Sequence, residues 1–251
     1  MKVSQLFEKL NTLFSVDEQE WYDNSGPQIS FPDEEVTKLY VSLDATPGSV
    51  DRAIEAGANV LLTHHPLFFG SGMFLYPAEP NGRAATRAVK EKLSIFSGHT
   101  GFDVVTLNEY VARLIGIQNA SRLTEREGYI GDVVPQTLVQ YADFVGKALN
   151  EPNVRAFGNS SAIVRRVAVI NGSGGRDESI VRTAVEAGAD VFVSSEFKHS
   201  VIRYALDLGC AVIDVTHFAS ELPFVQLATD IIKNNCGICV AADAETGLLN
   251  G

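Results

Sequence analysis

The residues best suited to chemistry in this sequence are its five histidines, two of which are adjacent. His64 and His65 end the apolar run NVLLTHHPLFF (59–69). Neighbouring strand residues point to opposite faces of a sheet, so a purely structural role would need a separate partner for each imidazole. A lone buried histidine is usually a hydrogen-bonded core residue, whereas imidazole is also the commonest metal ligand. The pair is therefore a candidate for metal binding.

Two further histidines are each followed, four residues later, by an acidic residue. His99 and Asp103 form H-x-x-x-D, and His217 and Glu221 form H-x-x-x-E. In a helix, residues i and i+4 share one face, which would bring an imidazole and a carboxylate together. Such a mixed nitrogen and oxygen set suits Zn, Fe, Mn, Co or Ni better than Ca²⁺. The predicted metal ligands are His64, His65, Asp103, His217 and Glu221.

This inventory is large enough for two divalent ions. One ion would use three or four of these groups. Two ions about 3.5–4 Å apart would need a bridging carboxylate or water, and Asp103 and Glu221 are the candidates for bridging. His64 and His65 would then bind different ions, or one of them would bind an ion while the other makes a contact outside the coordination shell.

The elements that position these residues alternate between strand and helix. Alternation of this kind predicts an α/β fold with mostly parallel strands and helices on both faces. In such sheets, ligands bind beyond the carboxyl ends of the strands, where the histidines fall. The predicted strands are 38–43, 59–62, 94–97, 164–170, 190–194 and 210–215. The predicted helices are 49–57, 83–93, 105–116, 135–149, 178–188, 200–209 and 220–234.

An internal repeat accompanies the alternation. EAGANVLLTHHPLF (55–68) aligns with EAGADVFVSSEFKH (186–199), and IFSGHTGFD (95–103) aligns with IDVTHFASE (213–221). Chance similarity between strand–helix units is the alternative, but a second matching segment in the same order favours a true repeat. The sequence therefore predicts two pseudo-symmetric lobes, 1–122 and 123–251, with the metal site at their junction.

Composition narrows the function further. A net charge of −11 disfavours nucleic-acid binding, whose affinity comes largely from Lys and Arg. Three cysteines predict no disulfide framework and favour a reducing, cytoplasmic setting, and Cys236-x-x-Cys239 is interpreted as a turn entering a buried strand. No stretch approaches the ~20 apolar residues of a membrane span. The first fourteen residues have an amphipathic helix pattern rather than that of a signal peptide.

Several segments together resemble one family over nearly the whole chain. EWYDNSG (20–26), VSLDATPGSVDRAIEAGANVLLTHHPLFF (41–69) and GHTGFD (98–103) are similar to motifs of the Nif-three-like family, also described as GTP cyclohydrolase 1 type 2 homologs. GADVFVSSEFKH (188–199) and DVTHFASE (214–221) are similar to two more. Here Ser195 and Thr216 replace glycines of the family pattern, which narrows the backbone freedom at those positions.

The resemblance implies a dinuclear divalent-metal site, with the five ligands already named each matching its motif, and a ring-like homohexamer. It places His99 and Glu196 in the pocket, where we predict that they handle protons, and His199 as an outer contact. The leading hypothesis is a metal-dependent hydrolase acting on a nucleotide or related heterocycle. The alternative is a metal-binding assembly or adaptor protein without catalysis.

The glycine-rich loop 172–175 has two interpretations. A strand, a loop of small residues and a helix N-terminus can bind phosphate. The loop can equally be a turn that needs small residues, because Asp177 and Glu178 already complement the helix dipole.

Overall fold

The computed structural model describes residues 1–70 and 75–243, which form two compact units. The first unit comprises Met1–Val105 together with 224–243, and the second comprises Thr106–Pro223. The units interleave along the chain, whereas the predicted lobes are contiguous segments. Strands and helices are numbered below in chain order.

The first unit is built on a five-stranded sheet in the order β1-β4-β3-β2-β11. Strands β4, β3, β2 and β11 are parallel to one another, and the edge strand β1 is antiparallel to β4. The strands are β1 (Gly26–Ile29), β2 (Leu39–Ser42), β3 (Val60–Thr63), β4 (Ser94–Ser97) and β11 (Val240–Ala242). The helices are α1 (Val3–Leu13), α2 (Pro47–Glu55), α3 (Pro80–Lys90), α4 (Thr100–Phe102) and α10 (Pro223–Cys236).

Helices cover both faces of this sheet, as predicted. Leu61 and Ile95 pack in a cluster with the alanines of α2 and α3. The next residue along β4, Phe96, points to the opposite face and lies 5.2 Å from Phe7 of α1, ring centre to ring centre. This alternation follows from the two-residue period of a strand, and burial on both sides explains why β2, β3 and β4 contain no exposed residue.

The second unit contains a six-stranded sheet in the order β5-β6-β8-β9-β10-β7. Strands β8, β9 and β10 are parallel, and the pairings of β5, β6 and β7 are antiparallel. The strands are β5 (Gln118–Arg122), β6 (Tyr129–Thr137), β7 (Arg155–Phe157), β8 (Ile163–Val169), β9 (Val191–Ser194) and β10 (Ala211–Asp214). The helices are α5 (Asn108–Leu114), α6 (Leu138–Ala148), α7 (Glu178–Glu186), α8 (His199–Asp207) and α9 (His217–Glu221).

The two units repeat one sequence of elements, and this confirms the predicted duplication. The series β1-β2-α2-β3-α3-β4 in the first unit corresponds to β7-β8-α7-β9-α8-β10 in the second. In each series three parallel strands are adjacent, and an antiparallel strand pairs with the last of them. The repeat therefore includes the edge strand, which the aligned sequences did not reveal.

The strand registers correct one part of the sequence alignment. Parallel pairing places Ser94 opposite Val60 in the first unit and Ala211 opposite Val191 in the second. Ile95 therefore corresponds to Val212, not to Ile213 as the aligned segments predicted. The second unit has one additional residue between its last parallel strand and the following histidine.

The region 117–160 differs most from expectation. It contains β5, β6 and β7, for which no strand was predicted, and Pro135 lies in β6 rather than at a helix start. Helix α6 begins after Thr137, whose side-chain oxygen accepts a hydrogen bond from the Gln140 N–H. All five residues of β5 are exposed, so it lacks the apolar alternation that identifies a strand.

Two smaller differences lie near the end of the described chain. The predicted helix 220–234 is two helices, α9 and α10, because the second begins at Pro223, which suits a first helical position. Cys236 ends α10 and Gly237, with φ +62°, turns the chain toward β11, so the predicted turn is confirmed. Strand β11 is a partly exposed edge strand rather than a buried one. Within 1–70 and 75–243, every helix is too short or too polar to cross a membrane.

Candidate metal centre

The first unit gathers three histidines at the carboxyl ends of β3 and β4. His64 and His65 directly follow β3, and His99 lies two residues beyond β4. The three ring centres are separated by 5.0–5.4 Å, and one nitrogen from each ring lies within 4.8 Å of the others. Thr63 Oγ1 donates to the His65 carbonyl at 2.8 Å, which fixes the backbone of the adjacent pair. We call these three side chains the histidine cluster.

The two adjacent histidines have the separate partners that their opposite directions require. His64 Nδ1 lies 2.8 Å from the Gly98 carbonyl, and His65 Nδ1 lies 2.7 Å from Asp44 Oδ1. A carbonyl or carboxylate oxygen can only accept, so each Nδ1 carries the proton and donates. The lone pair of each ring is then on Nε2, the tautomer that a metal-ligating histidine needs.

His99 is held in the same manner by a buried carboxylate. Its Nδ1 donates to Asp23 Oδ1 at 2.7 Å, and the Asp23 side chain is fully buried. Burial alone would raise the pKa of Asp23. The bonds from His99, Thr100 and Ser25 outweigh that effect and hold the pKa well below its usual range. Asp23 is therefore a fixed anion that orients the His99 ring.

Asp103 supplies the carboxylate of the first unit, and it lies beside His64, whereas the spacing predicts a pairing with His99. Its Oδ1 lies 3.4 Å from His64 Nε2, whereas His99 is bonded to Asp23. The reason is local: His99 is the N-cap of the short helix α4 and has a non-helical backbone, with φ −111° and ψ −118°, so the regular helix that the spacing assumes does not include His99. Asp103 itself begins a π-helical turn (Asp103–Leu107). The H-x-x-x-D spacing thus brought Asp103 to the cluster, but opposite a different histidine.

The second unit contributes one imidazole and one carboxylate from α9. His217 Nε2 lies 2.9 Å from Glu221 Oε2, which confirms the i, i+4 pairing predicted for this segment. His217 Nδ1 donates to Glu196 Oε1 at 2.8 Å. Glu221 is buried, whereas the Glu196 side chain is about half exposed. We call His217 and Glu221 the His–Glu pair.

The backbone around the His–Glu pair adopts unusual conformations. Glu196 has φ +57° and Thr216 has φ +62°, values that L side chains rarely adopt. Thr216 stands where the family pattern has glycine, and its Oγ1 caps α9 and donates to Glu151. Strain of this kind persists when surrounding contacts fix it, and it concentrates at functional sites.

The glycine-rich loop packs against the same pair. Gly172 has φ +66°, and a methyl group added there would overlap Glu221 Oε1. The Gly172 N–H is bonded to Ser220 Oγ, and the Gly175 N–H to the Ser195 carbonyl. These two amides serve the fold, which favours the interpretation of the loop as a turn that needs small residues.

The remaining predicted residues have distinct positions. Glu196 holds His217, so it lies beside the His–Glu pair. His199 is exposed at the first residue of α8. Sequence reasoning missed Asp23 and Asp44 as the partners of His99 and His65. The available signal was the position of Asp44, an acid just beyond β2 at the sheet edge where the histidines lie.

The donor chemistry of both groups fits a divalent cation. In each unit a histidine whose Nδ1 is already a donor faces a carboxylate oxygen with its Nε2, so two electron-rich atoms point at one another. Such an arrangement is favourable when a cation, a metal ion or a proton, lies between the two atoms. The mixed imidazole and carboxylate set suits Zn, Fe, Mn, Co or Ni.

Comparison with protein families gives one match over nearly the whole chain. The family model described as Duf34/NIF3 (NGG1p interacting factor 3) matches residues 1–245. Among curated relatives, a Clostridium perfringens protein named GTP cyclohydrolase 1 type 2 homolog is 25% identical over 243 residues, covering 93% of this chain and 92% of its own. A Campylobacter jejuni protein of the same name is 29% identical, with 93% of each chain covered.

Solved structures share the fold. A Staphylococcus aureus protein superposes with a TM-score of 0.89 at 25% identity, covering 100% of this chain and 99% of its own. A Bacillus cereus protein related to NIF3 also gives 0.89, at 19% identity, with 98% and 97% of the two chains covered.

Proposed function

Since the chain belongs to the Duf34/NIF3 family, we propose that it binds two divalent metal ions and uses them to hydrolyse a nucleotide or a related heterocycle. The proposed ligands are His64, His65, Asp103, His217 and Glu221. The nucleotide class is suggested by the relatives' name, GTP cyclohydrolase 1 type 2 homolog. At 25–29% identity, that name indicates a class of chemistry and not a specific substrate.

One observation carries this proposal: four of the five histidines have Nδ1 bonded to an oxygen acceptor. Those acceptors are the Gly98 carbonyl, Asp44, Asp23 and Glu196. Metal-ligating histidines nearly always donate their second ring nitrogen in this way, since the bond fixes the ring and raises its basicity. Histidines that only fill a core have no reason to share one orientation.

The chain's own groups have separate tasks in this scheme. Bound divalent ions would supply Lewis acidity and lower the pKa of a coordinated water. His99, held by the buried Asp23 anion, is placed to accept and return a proton at Nε2. Glu196 keeps His217 in the ligating tautomer, so we assign it an orienting task in place of the proton transfer first predicted.

The proposal is tested with purified protein, GTP and a divalent metal, with loss of substrate followed by chromatography. We expect turnover that a chelator abolishes and that returning the metal restores. His65→Ala should remove both metal and turnover, while Asp51→Ala, at an exposed acid that pairs with Arg87, should retain them. Full activity in protein shown to contain no metal would contradict the proposal.

A non-catalytic role is the second candidate, and the family description supports it by naming an interacting factor. In that case the ions would stabilise the fold and every coordination position would be filled by protein. An exchangeable water on the metal favours chemistry, and a closed shell favours the structural role. Water exchange measured by relaxation on the Mn²⁺-loaded protein separates the two.

We also propose, from the family resemblance, a ring-like homohexamer, and, from the three free cysteines, a reducing cytoplasmic setting. Light scattering on the purified chain tests the first: a mass of six chains supports it, and a monomer contradicts it.

A further inference from the structure

Three aromatic side chains near the histidine cluster are unusually exposed. Trp21 is 91% exposed, Phe69 58% and Tyr22 40%. Large aromatic side chains normally bury most of their surface, and a group left in solvent commonly marks a site of recognition. We call Trp21, Tyr22 and Phe69 the aromatic wall.

The segment that carries Trp21 and Tyr22 is hydrogen-bonded at both ends, to His99 of the histidine cluster and to its neighbour Thr100. Glu20 N–H donates to Thr100 Oγ1 at 2.9 Å, and Asp23 accepts from His99. Asn24 Nδ2 donates to the Phe68 carbonyl at 2.8 Å, which also ties the segment to the chain that bears Phe69. The aromatic pair is thus exposed on an anchored segment, as a preformed binding surface requires.

Phe69 connects the wall to the chemistry. Its ring contacts His99 edge to face, with centres 5.6 Å apart and planes at 88°. More than half of the Phe69 side chain is nevertheless open to solvent. A flat ligand lying on that open surface would therefore have its edge beside the imidazoles of the histidine cluster.

The charges near the wall indicate what kind of ligand fits. Asp23, Asp44 and Asp103 all contact the cluster, and the chain carries a net charge of −11. Divalent ions at the proposed ligands would offset part of this negative charge, but Trp21, Tyr22 and Phe69 themselves carry no cationic group that could pair with a phosphate. A heteroaromatic ring needs no such group, because every such ring has a π face that stacks on aromatic side chains.

We propose that the aromatic wall binds the heterocyclic ring of the ligand by stacking, so that this site recognises the base rather than the sugar or the phosphates. This inference rests on the proposed function only in taking the histidine cluster as the reacting end. The stacking itself requires no turnover.

Trp21 is the only tryptophan of the chain, so it reports directly on the wall. The purified full-length chain is titrated with guanosine, and separately with ribose 5-phosphate, while Trp21 fluorescence is recorded with correction for ligand absorbance. We expect saturable quenching by guanosine alone. Phe69→Ala should weaken guanosine binding about 5- to 140-fold, the range for loss of one base–aromatic stack. Phe144→Ala, an exposed phenylalanine of the second unit, is the matched control and should bind as the parent does.

The inference would be overturned by no quenching by guanosine, by equal quenching by ribose 5-phosphate, or by unchanged binding in Phe69→Ala. A Trp21 signal that changes with protein concentration and not with guanosine would assign the wall to a second copy of the chain, and would also overturn it. Guanosine binding without GTP turnover would defeat the proposed hydrolase and leave the wall standing. Turnover of GTP that is independent of Phe69 would support the proposed hydrolase and overturn the role of the aromatic wall.

Discussion

The histidine cluster and the His–Glu pair lie beyond the ends of corresponding strands in the two units, yet one corresponding position has opposite tasks in them. By strand register, His65 after β3 corresponds to Glu196 after β9. In the first unit the histidine at this position is held by a carboxylate, Asp44. In the second unit the carboxylate at this position holds a histidine, His217. The duplication preserved the framework and a hydrogen bond between imidazole and carboxylate, but exchanged which partner occupies the strand end.

The preceding residue also differs between the units, because the second unit has no adjacent pair of histidines. His64 is matched by Ser195, whose hydroxyl donates to the Gly172 carbonyl. A small buried serine leaves room for the glycine-rich loop to approach Glu221, as the close packing at Gly172 shows. The second unit therefore has one imidazole fewer at this strand end, and its carboxylate, Glu221, is closely packed against Gly172.

Loss of a ligand should have the largest effect, and it should be similar in both units if both supply ligands. His65→Ala and His217→Ala should each lower metal affinity by more than the ~10–100-fold that loss of an outer partner costs. Titration calorimetry with Zn²⁺ measures this. If His217→Ala binds as the parent does, the second unit supplies no ligand and the comparison fails.

Loss of an orienting carboxylate should have the next largest effect. Asp44→Ala and Glu196→Ala should each lower metal affinity about 10–100-fold, because His65 and His217 would lose the acceptor that fixes the ligating tautomer. The matched control is Asp51→Ala, an exposed acid of the first unit that pairs with Arg87. Equal, small changes in all three variants would show that the exchange of tasks has no bearing on binding.

Gly172→Ala tests the tight packing that distinguishes the second unit. The positive φ alone should cost about 1 kcal/mol, and the overlap with Glu221 should add to that cost and weaken metal binding. Gly209→Ala, at φ +82° with open space around it, is the control for the backbone effect. Denaturant unfolding should rank Gly172→Ala as the less stable variant, and the reverse order would argue against close packing at Glu221.

The smallest effect concerns thiols that lie outside both groups of ligands. Cys239 is exposed in the first unit, Cys236 is buried, and burial raises the pKa of Cys210 in the second unit to about 12. We expect one fast thiol in the native chain. Because a thiol with a pKa near 12 stays protonated, Cys210 should remain unreactive as the pH rises from 7 to 9. Fast labelling of Cys210 that accelerates over this range would contradict its burial beside β10.

Much of this arrangement could be predicted from the sequence, because it depends on local pattern. The buried strands β3 and β9 have short apolar runs, and the spacing of His217 and Glu221 fits one helix face. The partners of the histidines could not be predicted in this way. Asp23 is far from His99 along the chain, and only the folded sheet edge brings them together.

The remaining differences also have local physical causes. Strand β5 has no apolar alternation to reveal it, so the sequence offers no signal for its antiparallel pairing. The additional residue before His217 lengthens the connection between β10 and α9 and leaves the motifs on either side unchanged. An alignment without gaps therefore does not detect it. The pairing of Asp103 differs from the prediction because the H-x-x-x-D spacing assumes a regular helix that includes His99, whereas His99 is a non-helical cap residue.

The central claim is that four imidazoles are fixed with Nδ1 as donor, so that Nε2 is available to a metal in His64, His65 and His217 and to a proton in His99. Long-range ¹H–¹⁵N spectra of the histidine rings test it most directly, in the metal-free chain and after addition of Zn²⁺. We predict that His64, His65, His99 and His217 carry the proton on Nδ1 without metal. The Nε2 signals of His64, His65 and His217 should shift on loading, while exposed His199 should not respond. Protonation at Nε2 in the metal-free chain, or no shift at saturating Zn²⁺, would contradict the account.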